Sequence, residues 1–273
     1  MSTPAPLIDR TALLRHRARA AGDPALFLHE AARDEVQDRL MVVNRAFTTP
    51  AVVTPFPQLW QGFLPDARIV PDDEVLDLRD GSHDLVIHAI ALHWANDPVG
   101  QLVQCRRALR PDGLFLALCF GGQTLHELRA ALGQAEIEVT GGLSPRVLPM
   151  GEIRDLGALL QRAGLALPVA DSFTLTASYP SALHLMRDLR AMGETNALTG
   201  RLRRPTRRAV LLRAAAIYAA EFGDAQGRVP ASYEIVTLTG WAPDDSQPKP
   251  LRPGSAAQRL ADALKTQETP LKD

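Results

Sequence analysis

Three features of the chain predict an α/β fold built on a mainly parallel sheet. Residues 84–91 and 114–120 are near-continuous apolar runs, the pattern of strands covered on both faces by helices. Between them, Asn96-Asp97-Pro98 and Arg110-Pro111-Asp112-Gly113 bracket a helical stretch. Elsewhere, short β-branched runs alternate with segments of helical period.

Taken in order, residues 7–19 and 25–47 read as two helices broken at Gly22-Asp23-Pro24. Val36, Leu40, Val43 and Phe47 recur at spacings of four, three and four, so one face of the second helix has to pack. The first strand is 51–54, followed by Pro55-Phe56-Pro57, a short helix over 58–64 and a strand over 67–70. In the helix before the 114–120 strand, Asn96 or Asp97 accepts from the first free amides and Pro98 fits the first turn; at its exit Pro111 cannot continue and Gly113 tolerates positive φ. This is one βαβ unit, necessarily right-handed.

Downstream, 124–140 reads as a helix capped by Thr124, with Glu127, Glu136 and Glu138 on its exposed side. A second helix, 151–163, stops at Gly164. Strands 172–179 and 233–241 form an antiparallel hairpin closing the sheet, with helices 181–192 and 206–222 inserted between them. Gly193 serves as a left-handed helix stop and Asn196 starts the next turn.

Composition excludes several function classes. The 273 residues carry a net charge of −1, which leaves no electrostatic footprint for nucleic acid. With 46% apolar and 22% charged residues the chain is ordinary globular material rather than a disordered one. Cys105 and Cys119 lack metal-ligand spacing and read as buried thiols of a reducing cytoplasm, so no metal site is expected. No apolar run is long enough to span a bilayer. The N-terminus is amphipathic and Arg-rich like a transit peptide, but the early Asp9 favours a structural helix of a bacterial cytoplasmic protein. Arg201, Arg203, Arg204, Arg207 and Arg208 form a basic cluster, read either as the solvated entry to the next helix or as a contact for an acidic partner or the membrane surface.

The pattern HDLVIHAIALHWANDP, then RRALRPDGLFL, resembles class I S-adenosylmethionine-dependent methyltransferases of the small-molecule type 11 kind, in which an aspartate-led strand, a helix and a proline–glycine turn follow in that order. FGGQTLHELRAALGQAE, MRDLRAMGETNAL and ASYEIVTLTGWAPDDSQPKP narrow the resemblance to the methyltransferase-like assembly factors of respiratory complex I and their proteobacterial relatives. It runs from about residue 7 to about residue 264. The fold it implies is Rossmann-like: N-terminal helices over 1–48, a core over 49–180 and 230–242, and a helical insert over 181–229. Together these make a single domain, 1–265, with a flexible tail from 266.

One departure stands out. A cofactor site of this fold needs a glycine-rich turn after the first strand, where the backbone approaches the ligand and offers its amides. Here Pro55 and Pro57 remove two donors and Phe56 fills space. Only about 30 residues separate Val53 from Asp84, roughly one βαβ unit, where the family fits two further strands. The first half is therefore shortened, with one strand–helix unit trimmed away and the glycine loop degenerate. What the resemblance leaves of an S-adenosylmethionine site is Thr54, Asp72, Asp73 and His93. Asp72 or Asp73 would lie beside the adenine, and His93 and Trp94 near the sulfonium and the acceptor. The bland readings are a solvated acidic turn for Asp72-Asp73-Glu74, a core Trp94, and a His93 bonded to a nearby carbonyl.

Two functions compete on this basis. One is an assembly factor with a degenerate cofactor site and a complex I subunit as partner, docking through the basic cluster and the proline-punctuated segment 246–254. The other is an active methyltransferase, or an arginine-modifying enzyme, acting on a protein or a small molecule.

Overall fold

The computed structural model describes residues 5–248 and 266 of the chain. Contacts divide it into a compact unit, Met1–Pro243, and a second unit, Asp244–Asp273. Most of the 246–254 segment, together with the expected domain end at 265 and all of the tail except Thr266, lies outside the described residues.

The first unit carries a six-stranded sheet in the order β2-β1-β3-β4-β6-β5. β1 (Pro50–Val53), β2 (Arg68–Val70), β3 (His83–Ala89) and β4 (Leu109–Phe120) are parallel, and β3 and β4 are neighbours, with Val86 opposite Phe115 and His88 opposite Ala117. β5 (Ala166–Tyr179) and β6 (Val229–Trp241) close the sheet as an antiparallel pair, β6 lying against β4. β2 is the outer edge, so the first half of the sheet ends one strand short of the family pattern, as the short Val53-to-Asp84 span predicts. This is a class I methyltransferase fold.

The helices are α1 (Arg10–Ala20), α2 (Phe27–Val43), α3 (Pro57–Trp60), α4 (Pro98–Ala108), α5 (His126–Thr140), α6 (Ile153–Arg162), α7 (Ala182–Ala191) and α8 (Arg208–Phe222). Strand periodicity sorts the core into two layers. Leu85, Ile87, Ala89, Leu114, Leu116 and Leu118 face α2, α5, α7 and α8. Val86, Phe115, Ala117 and Cys119 face α4 and α6. Both cysteines are buried and free, and burial pushes their thiols up to about 12, so they pack as apolar residues. A third, smaller cluster joins Ile8, Ala12 and Leu13 to Trp94, Leu148, Ala197 and Leu198. It seats α1 beside the turn that follows β3 and the chain that follows α7. No helix among the described residues is long and apolar enough to cross a membrane.

Several expectations change. α2 ends at Val43, where Asn44 turns left-handed, although Phe47 still packs against the core. α5 has no threonine cap. Thr124 instead bonds Glu234 through both backbone groups, because the antiparallel strand passes within reach. Glu127 and Glu136 are buried rather than exposed. Glu127 accepts from Ser232, while Glu136 accepts from Ser144 and from both ends of the Arg146 fork, which compensates its desolvation. Only Glu138 of the three lies at the surface. Asp97 is the cap of α4, accepting from Gly100, while Asn96 bonds both backbone groups of Ile8.

At the exit of α4 the positive φ belongs to Asp112, at 58°, and not to Gly113. Gly113 is needed for a different reason: a Cβ there would sit 2.9 Å from the Arg110 carbonyl oxygen. Gly113→Ala therefore forces the bulge at the start of β4 to shift. It should cost about 1–3 kcal/mol, read as a lower urea midpoint with an unchanged slope.

Candidate functional site

The carboxyl ends of β1–β4 and the start of β6 share one end of the sheet, where open α/β folds bind ligands. Two cavities open there. The first, of about 470 Å³, lies beyond β1 and β2 and is lined by Thr54, Pro55, Phe56, Pro57, Asp72 and Asp73 together with Arg17 of α1. The second, of about 150 Å³, lies beyond β3 and β4. It is walled by Trp94, Phe120, Tyr233 and side chains of α5 and α7, with Glu194 as the one acidic residue in its wall among the described residues.

Between them runs a buried polar chain. Both oxygens of Asp72 stand 2.9 Å from Arg17 Nη1, and Arg10 adds a contact at 3.2 Å to Oδ2 and one at 2.6 Å to the Asp72 carbonyl. Arg17 Nη2 lies 4.0 Å from Glu194 Oε1. The other Glu194 oxygen accepts the Trp94 indole N–H and lies 3.7 Å from His93 Nε2. Burial opposes the ionised form of Asp72, but Arg17 and Arg10 outweigh it and hold the carboxyl below its usual range. Burial likewise opposes ionisation of Glu194, and His93 and Arg17 hold it low.

Local sequence explains the placement. Arg10 and Arg17 are seven residues apart and so share a face of α1, with Leu13 and Ala20 buried along the same helix. Ile90, at φ 46°, sharply turns the chain after β3 into the 3₁₀ turn Leu92–Trp94. Such a conformation costs a β-branched residue on the order of 1–3 kcal/mol and is kept where the surroundings impose it. Gly193, at φ 75°, stops α7 and brings Glu194 inward. A Cβ on it would stand 3.0 Å from Arg17 Cα, so only glycine lets this turn lie directly on α1.

Thr54 is buried at the end of β1, with its hydroxyl accepting from the Phe56 amide. Asp72 is no solvated turn but the buried centre of the α1 ion pairs. Asp73 is largely exposed, and its carbonyl accepts from Gln101. His93 is not bonded to a carbonyl; its Nδ1 accepts from the Phe120 amide at 3.5 Å and its Nε2 faces Glu194. Thr54, Asp72 and Asp73 share the first cavity, and Trp94 lines the second. Asp84, which leads the family-like motif, sits at the opposite end of the sheet, where it accepts from the Thr48 and Thr49 amides. Of the basic cluster, Arg201 and Arg203 pair with Asp9 at 2.9 and 3.5 Å, so two of its five charges are already engaged.

An S-adenosylmethionine molecule does not fit the residues of the first cavity. Pro55 and Pro57 offer no amide, the Thr54 hydroxyl is already engaged, and both Asp72 oxygens carry guanidiniums where ribose hydroxyls or adenine would need them.

A family described as methyltransferase domain matches residues 59–117. The mitochondrial arginine-hydroxylase NDUFAF5 of Danio rerio is 39% identical over 227 residues, covering 82% of this chain and 70% of the relative. The chain belongs to the NDUFAF5 family. It spans 60% of the length of the Rattus norvegicus member, at 38% identity over 76% of this chain. The malonyl-[acyl-carrier protein] O-methyltransferase of Laribacter hongkongensis is 38% identical over 65% of this chain and 57% of its own. Among solved structures, the YcgJ protein of Bacillus subtilis overlays with a TM-score of 0.48 at 12% identity, covering 75% of this chain and 97% of that one.

Within this NDUFAF5-family chain, sequence reasoning overlooked Arg10, Arg17, His29 and Glu194. The seven-residue spacing of the two arginines was a usable signal; an acid directly after a helix-stopping glycine was a weaker one.

Asp72→Asn leaves the Arg17 charge buried without its counterion and should cost about 3–5 kcal/mol by urea unfolding, whereas the double change Arg17→Met, Asp72→Leu should recover most of it. Burial pushes His29 down to about 4, near Glu194, Arg17, His93 and Asp72. Between its ordinary value of 6.5 and about 4 the unfolded chain holds a proton that the folded chain does not, so stability falls with acid through that window. From pH 7 to pH 5 the wild type should lose about 2 kcal/mol more than His29→Phe, measured as the difference in urea midpoints.

Proposed function

We propose that this chain is an assembly factor of respiratory complex I that works by holding a protein partner in the Glu194 cavity, its methyltransferase cofactor site having been lost. The observation that carries this reading is the asymmetry of the two cavities. The cofactor side is closed chemically by Pro55, Pro57 and the Arg17–Asp72–Arg10 ion pairs, while the acceptor side keeps an apolar chamber with one buried carboxylate. The partner would be a complex I subunit presenting an arginine, in line with the arginine-hydroxylase name of the relatives. The same reading takes residues 1–265 as one domain with a short tail, places the protein in a bacterial cytoplasm, and leaves Arg204, Arg207 and Arg208 for contact with an acidic partner or the membrane surface. A second reading, an enzyme that modifies that arginine, is favoured by His93 and Trp94 converging on Glu194 at the cavity wall.

Calorimetry with S-adenosylmethionine and S-adenosylhomocysteine should give no dissociation constant at or below about 1 μM, roughly −8 kcal/mol. In a strain lacking the gene, the wild-type chain should restore complex I activity. Equal rescue by His93→Ala supports the binding role, and loss of rescue by a folded His93→Ala protein turns the reading to the enzyme.

A further inference from the structure

We propose that the groove between α1 and the chain after α7 is a docking surface for an acidic helix of a protein partner. It involves neither of the two cavities and stands whatever they bind. Arg15 and Arg19 of α1 line one side and Arg201 and Arg203 the other, with His16 and Leu202 completing the surface. The groove encloses about 670 Å³, and none of the described residues lining it is acidic. Asp9, the cap of α1, brings the two pairs of arginines together. It accepts from Arg201 at 2.9 Å, across 192 residues of sequence, and lies 3.5 Å from Arg203. Four guanidiniums thus meet one carboxylate, an excess of three positive charges. Arg15 and Arg19 form no ion pair among the described residues. Each gives its Nε proton to its own helix, to the carbonyls of Thr11 and Arg15, which steadies the stem and leaves the paired Nη groups for a carboxylate.

Spacing and shape select the anion. Arg15 and Arg19 lie one helical turn apart, about 6 Å along the axis, and carboxylates at positions i and i+4 of a partner helix repeat at the same pitch. His16 is half-buried and the Arg201 side chain is only 17% exposed, so the deeper charges are reached by side chains projecting from a ridge rather than by a flat membrane surface. Pairs at exposed forks of this kind contribute little energy each, so the surface acts on encounter rate and on the choice of partner. His16 reports on the occupant. Its Nδ1 donates to the Thr195 carbonyl at 3.1 Å, while burial first, and then the charges of Arg19, Arg201 and Arg15, hold the imidazole below its ordinary value of 6.5. Carboxylates seated among those arginines offset their charge, so the imidazole becomes easier to protonate.

The test uses the full chain and a labelled, capped, alanine-based helical peptide carrying two glutamates at i and i+4, followed by fluorescence anisotropy at low salt. This peptide should bind at least tenfold more tightly than its glutamine counterpart, and than a peptide with the glutamates at i and i+2, which lie on different faces. Arg15→Gln combined with Arg19→Gln should erase that preference with the urea midpoint retained, both side chains being exposed. Arg204→Gln combined with Arg207→Gln, which lie outside the groove, should leave the preference intact. Followed by NMR, the His16 ring should titrate at higher pH with the peptide bound. No binding, equal binding of the three peptides, an unchanged preference in the Arg15, Arg19 double variant, a lost preference in the Arg204, Arg207 double variant, or an unmoved His16 titration would overturn the proposal. Two further outcomes would overturn it by reassigning the groove. Sedimentation with anionic phospholipid vesicles that depends on Arg15 and Arg19 gives it to a lipid surface, and displacement of the peptide by phosphate, but not by chloride of equal ionic strength, gives it to a free anion.

Discussion

The ion pair between Arg17 and Asp72 organises the functional end of this protein. A carboxylate and a guanidinium, both more than nine-tenths buried, are stable there only because each supplies the other's counter-charge and Arg10 completes the set. That requirement ties α1 to the loop after β2. Through Arg17 it also ties α1 to Glu194, which lies within the helical insert, distant in sequence but adjacent in space. Ile8, Leu13, Trp94 and Leu198 pack around the same junction, so the polar chain sits inside an apolar collar that raises the cost of breaking any one link.

This arrangement has a chemical consequence for a fold whose usual business is binding a nucleoside cofactor. An acidic residue beyond the second strand can hold a ligand only while its oxygens are free, and a strand–turn can present amides only where it has them. Here Asp72 is fully engaged by the chain's own arginines and two prolines occupy the turn after β1. The partition they build leaves the neighbouring chamber untouched. Glu194 reaches that chamber because Gly193 accepts a left-handed conformation against the backbone of α1, and Trp94 reaches it because Ile90 is held in a strained turn after β3. Strain and glycine thus appear where the site is built, while β3 and β4 below them are regular.

Buried acids elsewhere follow the same rule. Glu136 looks like a surface residue of an amphipathic helix, yet the loop after α5 folds back so that Ser144 and Arg146 satisfy it. Glu127 is satisfied by Ser232 of β6. In each case the partner is distant in sequence or lies in a loop, so helical periodicity alone points the wrong way.

By itself the sequence determined the sheet and its order of construction. Apolar runs of strand length, a proline-started helix capped by Asn96 or Asp97, a glycine stop at Gly164 and β-branched alternation are local signals, read within a few residues. It also determined that the turn after β1 offers two amides fewer, because proline lacks a donor in any environment. Tertiary structure alone decided what Asp72, His93 and Glu194 face, since their partners Arg17 and Trp94 arrive from segments as much as 100 residues away. Charge pairing in a buried site depends on which helix the fold lays over it. A linear pattern records that a residue is acidic, but only the packed chain sets whether its oxygens are free.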